Sequence, residues 1–323
     1  MNEYYIGIDL GGTNLKTAIF NRDYIKICEK RVPTQVRQGS AHVLNRIVET
    51  ILLLLTEQNL TRENIQCAGI AVPGLMDPEK GIAFFSPNFP DWENVPIAQS
   101  VGTALGFPVF IDHDVRSHLY GEWKLGAARG KKNVVLMALG TGVGSGVMVD
   151  GHMLYGATSS AGEIGHMNMY RQGRPCKCGS SGCLGRYVSA VGLVNTLKKK
   201  LNQGAQSIVC EWVQNDHKKI TAKMISLAFD EGDAAAIEVF NETAEVLGYG
   251  IANAINLYNP ETVIIGGGLS NAGERLLGRA REVVGEHALE IPHAACSIVT
   301  AELGDCAGMF GAAVFSAKRM ENS

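Results

Sequence analysis

Several features are scarce or missing in this chain of 323 residues, and each absence narrows what it can be. No apolar run approaches the roughly 18 residues that a membrane-spanning helix needs. The longest, ILLLL at 51–55, sits inside an amphipathic helical pattern from about 41 to 58. Net charge is −3, with no basic stripe and no block of like charge, so neither nucleic acid nor an anionic membrane is indicated as a partner. The N-terminus runs straight into a β-rich stretch, without the basic and apolar segments of a secretory signal. No GxxxxGK(S/T) phosphate loop occurs. Cysteine is sparse; positions 28, 67, 210, 296 and 306 are scattered, and apolar packing accounts for them. The expectation is a cytosolic globular chain with reduced thiols, in which clustered cysteines favour metal over disulfide.

What the chain has in excess is glycine, 38 residues, and it is clustered. Clustered glycine marks backbone that turns sharply or approaches a ligand closely. IGIDLGGTNLKTAIF near the start and VLMALGTGVGSGVMV at 135–149 share one design, an apolar strand, a glycine-rich turn and a second apolar strand. Tight glycine turns offer backbone N–H groups as a nest for phosphate oxygens, and Asp9 just ahead of the first is placed to hold a bridging Mg²⁺. Neither turn fits the dinucleotide fingerprint, since each leads into a strand rather than a helix. The repetition and the length predict two related α/β domains: 1–118 joined by a C-terminal helix at about 305–323, and 119–304. Residues 73–93, rich in proline, read as a long irregular loop of functional kind.

Three cysteines fall within eight positions in CKCGSSGC, ten residues after a histidine. His166, Cys176, Cys178 and Cys183 supply one imidazole and three thiolates, a complete tetrahedral set for Zn²⁺. Gly179 and Gly182 let that loop curl, and four protein ligands leave no open position for a water, so the metal is expected to be structural. Anchoring His166 also fixes the turn that carries Glu163, in AGEIGH. A carboxylate fixed in this way can accept two hydrogen bonds at once.

GIDLGGTN, LGTGVGSG, AGEIGH, CKCGSSGCL and VIIGGG, in this order from residue 5 to about 268, resemble the ROK family (repressors, open reading frames, kinases). The resemblance implies an actin-like, two-domain α/β sugar-kinase fold with a cleft between the domains, closing over a hexose and ATP. It assigns Asp9, Gly11, Gly12, Thr13 and Asn14, together with Gly140, Thr141, Gly142 and Gly144, to the phosphates, and Gly266, Gly267 and Gly268 to the adenosine. Gly74, Asn88, His113, Asp114, Glu163 and His166 become sugar contacts, with His166 also on zinc. Asp114 is the implied base; from its segment alone a helix N-cap would be the better reading, and Asp112 is its rival.

The sequence departs from the family in three places. His113 and Arg116 stand where asparagines are usual, and GCLGR carries Gly185 where the family often has a sugar-contacting glutamate. These changes bear on which hydroxyls the site can satisfy. The expected activity is ATP-dependent, Mg²⁺-requiring transfer of the γ-phosphate to a hexose hydroxyl, O6 of glucose first. Allose, N-acetylmannosamine, N-acetylglucosamine and fructose are the alternatives, and family likeness adds a homodimer or homotetramer. Other classes are a sugar-sensing regulator, against which stand the eight residues ahead of Asp9 and the missing basic patch; a zinc hydrolase, against which stands the closed ligand set; and a catalytically dead relative.

Overall fold

The computed structural model describes residues 3–86 and 88–322. Its contacts divide the chain into two compact units, Met1–Gly130 with Tyr155–Ala161 and Glu302–Ser323, and Lys131–Leu154 with Gly162–Ala301. Each has its own apolar core.

In chain order the first unit contains β1 (Tyr4–Leu10), β2 (Asn14–Asn21), β3 (Lys26–Pro33), β4 (Ile65–Val72), β5 (Leu75–Asp77), β6 (Ile82–Ser86), β7 (Phe89–Val95) and β8 (Val109–His113). Its main sheet has the order β3-β2-β1-β4-β8. β1 pairs antiparallel with β2 and parallel with β4, and β4 pairs parallel with β8. The amphipathic helix Ser40–Glu57 buries Val43, Ile47, Ile51, Leu54 and Leu55, spaced to form one apolar stripe, and supplies the crossover that parallel pairing requires. The C-terminal helix Ala307–Glu321 contacts β1 and β4. A Cβ at Gly7 would overlap the carbonyl of Met309, and one at Gly69 that of Ala312. Helix and sheet therefore touch backbone to backbone.

The second unit contains β9 (Val134–Leu139), β10 (Val143–Val149), β11 (His152–Met153), β12 (Thr262–Gly266) and β13 (Ser297–Thr300). Its sheet order is β11-β10-β9-β12-β13, with β9 antiparallel to β10 and parallel to β12. The plan of the first sheet is repeated: a glycine hairpin beside two parallel strands. Helix Ala234–Tyr258 is the spine of this unit's core.

Two expectations change. A border at 118/119 would cut helix Asp114–Leu125; that helix packs on Ala307–Glu321, so the first unit continues to Gly130. Of the stretch 73–93, the described residues are not an irregular loop: β5, β6 and β7 form a three-stranded antiparallel sheet. Asp77 accepts the Glu79 and Lys80 N–H groups to close its first turn, and Phe89 and Trp92, both buried, pack with ring centroids 4.3 Å apart. Pro90 hid this strand from the sequence reading; it sits on the edge strand β7, where a missing N–H costs little.

Candidate functional site

In each unit the singled-out residues gather at one edge of the sheet, the carboxyl ends of its parallel strands. In the first unit Asp9, Ala71 and Asp112 stand in register across β1, β4 and β8, with Gly74, His113 and Asp114 just beyond. Asp9 and Asp112 are two strand spacings apart, about 10 Å. The turn Gly11–Asn14 is closed by the Gly11 N–H on the Asn14 carbonyl, 3.0 Å. Thr34 pins it from β3's end, donating its hydroxyl to the Gly11 carbonyl and its N–H to that of Thr13. Asn88 lies over the turn, 3.2 Å from where a Cβ on Gly12 would stand. Gly74 has φ +106°, and a Cβ there would overlap the carbonyl of Phe85, so this sugar-loop glycine has a structural reason of its own.

Two partners of Asp9 escaped the sequence reading. Lys16 Nζ lies 3.3 Å from its carboxylate and donates to the Asp305 carbonyl at 3.0 Å. Hairpin register contains this signal, since Leu10 opposite Leu15 places Asp9 opposite Lys16. Gly308, at the first turn of helix Ala307–Glu321, is the other: a Cβ there would come within 2.7 Å of Asp9 Cγ. The helix N-terminus thus meets the carboxylate closely, and its dipole favours the charge.

Asp112 and Asp114 are separated sharply by their surroundings. Asp112 is fully buried and its acceptors are taken. Arg116 Nε donates at 2.6 Å, Arg319 Nη2 at 3.2 Å, the Tyr155 hydroxyl at 2.6 Å and the His113 N–H at 2.7 Å. Burial and the Asp112 carboxylate raise the Tyr155 pKa, keeping its hydroxyl a donor. Arg116, the departure from asparagine, also donates to the Ser159 carbonyl at 2.8 Å; it is a fastener. Asp114 opens helix Asp114–Leu125, where His113 and not Asp114 holds the N-cap position. Its Oδ1 accepts the Val115 N–H at 2.7 Å and lies 3.1 Å from His113 Nδ1. No hydrogen bond engages Oδ2 among the described residues, and the side chain is 34% exposed.

In the second unit the β9–β10 turn is closed by the Gly140 N–H on the Gly142 carbonyl, 2.9 Å. A Cβ on Gly142 or Gly268 would meet nothing within 4 Å, so both leave room for a ligand; Thr141 is exposed and Gly144 pairs with Ala138 near the start of β10. Gly266 ends β12 opposite Ala138, and Gly267, at φ +81°, packs under the Leu139 carbonyl. The two glycine segments therefore leave the same sheet edge.

The loop carrying Glu163 is tied at both ends. Ser145 of β10 donates to the Gly162 carbonyl and accepts the Ile164 N–H at 2.9 Å, a positioning role the sequence did not reveal. Beyond it, Leu184 N–H reaches the Met167 carbonyl and Met169 N–H that of Gly182, both 2.8 Å. Glu163 and His166 both reach the surface. The metal-ligand atoms of His166, Cys176, Cys178 and Cys183 lie within 4.8 Å of one another. His166 Nδ1 is 3.8 Å from Cys176 Sγ, and Cys178 Sγ is 3.7 Å from Cys183 Sγ. A tetrahedron with metal–sulfur bonds of about 2.3 Å has edges of about 3.8 Å, so the set fits a closed four-ligand cation site. Gly179 and Gly182 have φ +92° and +72°, the curl expected of them.

A sequence model of the ROK family matches residues 5–319. The chain is 35% identical to the glucokinase of Thermotoga maritima over 315 residues, 98% of each chain. It is 31% identical to the xylose repressor of Caldicellulosiruptor bescii, covering 95% of this chain and 76% of the repressor. Among solved structures, a ROK glucokinase from Streptomyces griseus in complex with glucose and AMPPNP superposes with TM-score 0.79 at 28% identity, covering 98% of this chain and 99% of that one.

Proposed function

Because the chain belongs to the ROK family, we propose that it works as a glucokinase-type enzyme, moving the γ-phosphate of ATP to a hexose hydroxyl, O6 of glucose first. The whole-length likeness to a glucokinase, with both glycine turns and Asp114 in place, carries this reading. The fold is the actin-like α/β kinase fold, with its sheet plan present once in each unit.

Each residue then has a chemical task. Asp114 presents its open carboxylate oxygen to the attacking hydroxyl, takes its proton and holds the oxygen in line. Glu163 accepts from two neighbouring hydroxyls. His166, whose Nδ1 lies beside Cys176 Sγ, would hold the metal through that atom and leave Nε2–H to donate to the sugar. Gly74, Asn88 and His113 complete the sugar contacts. The N–H groups of Gly11, Gly12, Thr13 and Asn14 and of Gly140, Thr141, Gly142 and Gly144 receive phosphate oxygens, and Gly266, Gly267 and Gly268 make a flat seat for the adenosine. Asp9 offers the carboxylate for Mg²⁺, which when bound neutralises charge on the phosphates. His166, Cys176, Cys178 and Cys183 would hold Zn²⁺ as a closed set, which would stiffen the loop beside Glu163 and leave the metal no part in the reaction. The setting is cytoplasmic and the assembly a homodimer or homotetramer.

The test is ADP release with Mg²⁺ and ATP over glucose, allose, N-acetylmannosamine, N-acetylglucosamine and fructose. Glucose should give the highest kcat/KM. Zinc-loaded, folded protein that turns over none of them would overturn the kinase reading in favour of the non-catalytic sugar sensing that the repressor likeness suggests.

A further inference from the structure

A cleft of about 330 Å³ in the second unit is walled by Tyr170, Arg174, Tyr187, Thr196, Lys199 and Thr243, none of which the kinase reading uses. Arg174 lies with its guanidinium 4.6 Å from the centre of the Tyr187 ring, and that ring packs on Tyr170 at 4.7 Å. Three of its N–H groups meet uncharged acceptors: the carbonyls of Arg186 and Gly192, at 3.0 and 3.1 Å, and the Thr196 hydroxyl at 2.9 Å. Nε–H and one Nη2–H meet no acceptor among the described residues. No ion pair of Arg174 is found among the described residues; of the two acids that share the lining, Glu242 is held by Lys200 at 2.5 Å, while Glu245 is in no ion pair among the described residues.

A second observation comes from helix Ala234–Tyr258, which also lines the cleft. Thr243 is 2% exposed, and its hydroxyl has no hydrogen-bond partner. A buried orphan hydroxyl is costly unless something arrives to meet it. Lys199 is exposed and adds a second positive charge. Two cations suit a dianion, a lone hydroxyl suits a polyol, and tyrosine rings suit the C–H faces of a sugar. The volume lies at the low end for ligand pockets. We propose that this cleft binds a phosphorylated, hydroxyl-bearing metabolite of monosaccharide size, its phosphate on Arg174 and Lys199 and a hydroxyl on Thr243.

The cleft is wired to the metal loop. Arg174 stands two residues before Cys176, donates its N–H to the Tyr187 hydroxyl at 2.8 Å and accepts the Gly182 N–H at 2.9 Å. Occupancy therefore bears on the loop that fixes His166 and Glu163.

The experiment is calorimetric titration of the full, zinc-loaded chain with a hexose 6-phosphate and, separately, inorganic phosphate, in saturating glucose and a non-hydrolysable ATP analogue. The hexose phosphate should bind more tightly than phosphate alone. Lys199→Glu should weaken it about tenfold or more and Thr243→Val about threefold. No binding of either anion, or affinities unchanged in both variants, would overturn the proposal; equal affinity for the two anions would overturn its sugar half. Neither variant touches the proposed active site, so their loss of binding reads this cleft even in a chain that shows no turnover.

Discussion

Two aspartates two positions apart show how far a residue's role depends on what surrounds it. Asp112 and Asp114 are chemically identical, and in the sequence either could serve as base. Asp112 is closed in by two guanidiniums, a tyrosine hydroxyl and a backbone N–H, while Asp114 keeps an open oxygen at the surface. Asp114→Asn should therefore lower kcat by about 10²–10⁴-fold with little change in sugar affinity, measured by ADP release and glucose binding. Asp112→Asn should act on stability, because it leaves Arg116 and Arg319 facing a neutral group in a buried setting. The expected loss is about 3–5 kcal/mol by urea unfolding. Near-normal turnover in the first variant, or unchanged stability in the second, would reverse the assignment.

At the scale of elements, the cysteine loop and the β10 strand act as one frame for Glu163. Ser145 holds the loop's entry, the metal set and the Met167–Leu184 and Met169–Gly182 hydrogen bonds hold its exit. Cys178→Ser removes one of four ligands, so metal content should fall from about one ion per chain to near zero, with a lower melting temperature and a raised KM for the sugar. Full activity without metal, by elemental analysis, would contradict the frame. Gly185 starts the short helix Gly185–Val188 against this loop. A Cβ there would meet the Gly165 carbonyl at 3.3 Å and Val143 at 3.5 Å, so a side chain is admitted after a shift of a few tenths of an ångström. Gly185→Glu should thus fold and change the order of kcat/KM values over the hexose panel; an unchanged order would make that departure irrelevant to specificity.

Over the whole molecule, the described apolar residues form separate clusters, the largest of each unit lying within that unit alone. Cooperativity rests on shared burial, so heat should not unfold the chain as one step. Scanning calorimetry should give a calorimetric enthalpy exceeding the van't Hoff value. Chelating the metal should lower the transition of the second unit, which holds His166, Cys176, Cys178 and Cys183, more than that of the first. A single two-state transition, or an equal shift of both, would argue against independent cores.

Much of this was legible in the chain itself. Strand–glycine–strand patterns are local, and so the two hairpins and their repeated plan followed from residue order. Thiol ligands crowded into one loop are local too, and the metal set gathers as read. The rest depended on which distant backbones meet. The strands hidden within 73–93 form because pairing with neighbours and burial of Phe89 and Trp92 outweigh proline's local preference. The split between Asp112 and Asp114 depends on Arg319 and Tyr155, hydrogen-bonded to Asp112 from 207 and 43 residues away. Sequence settles what each segment can form by itself; charge compensation and burial are long-range sums, and only the folded chain closes them.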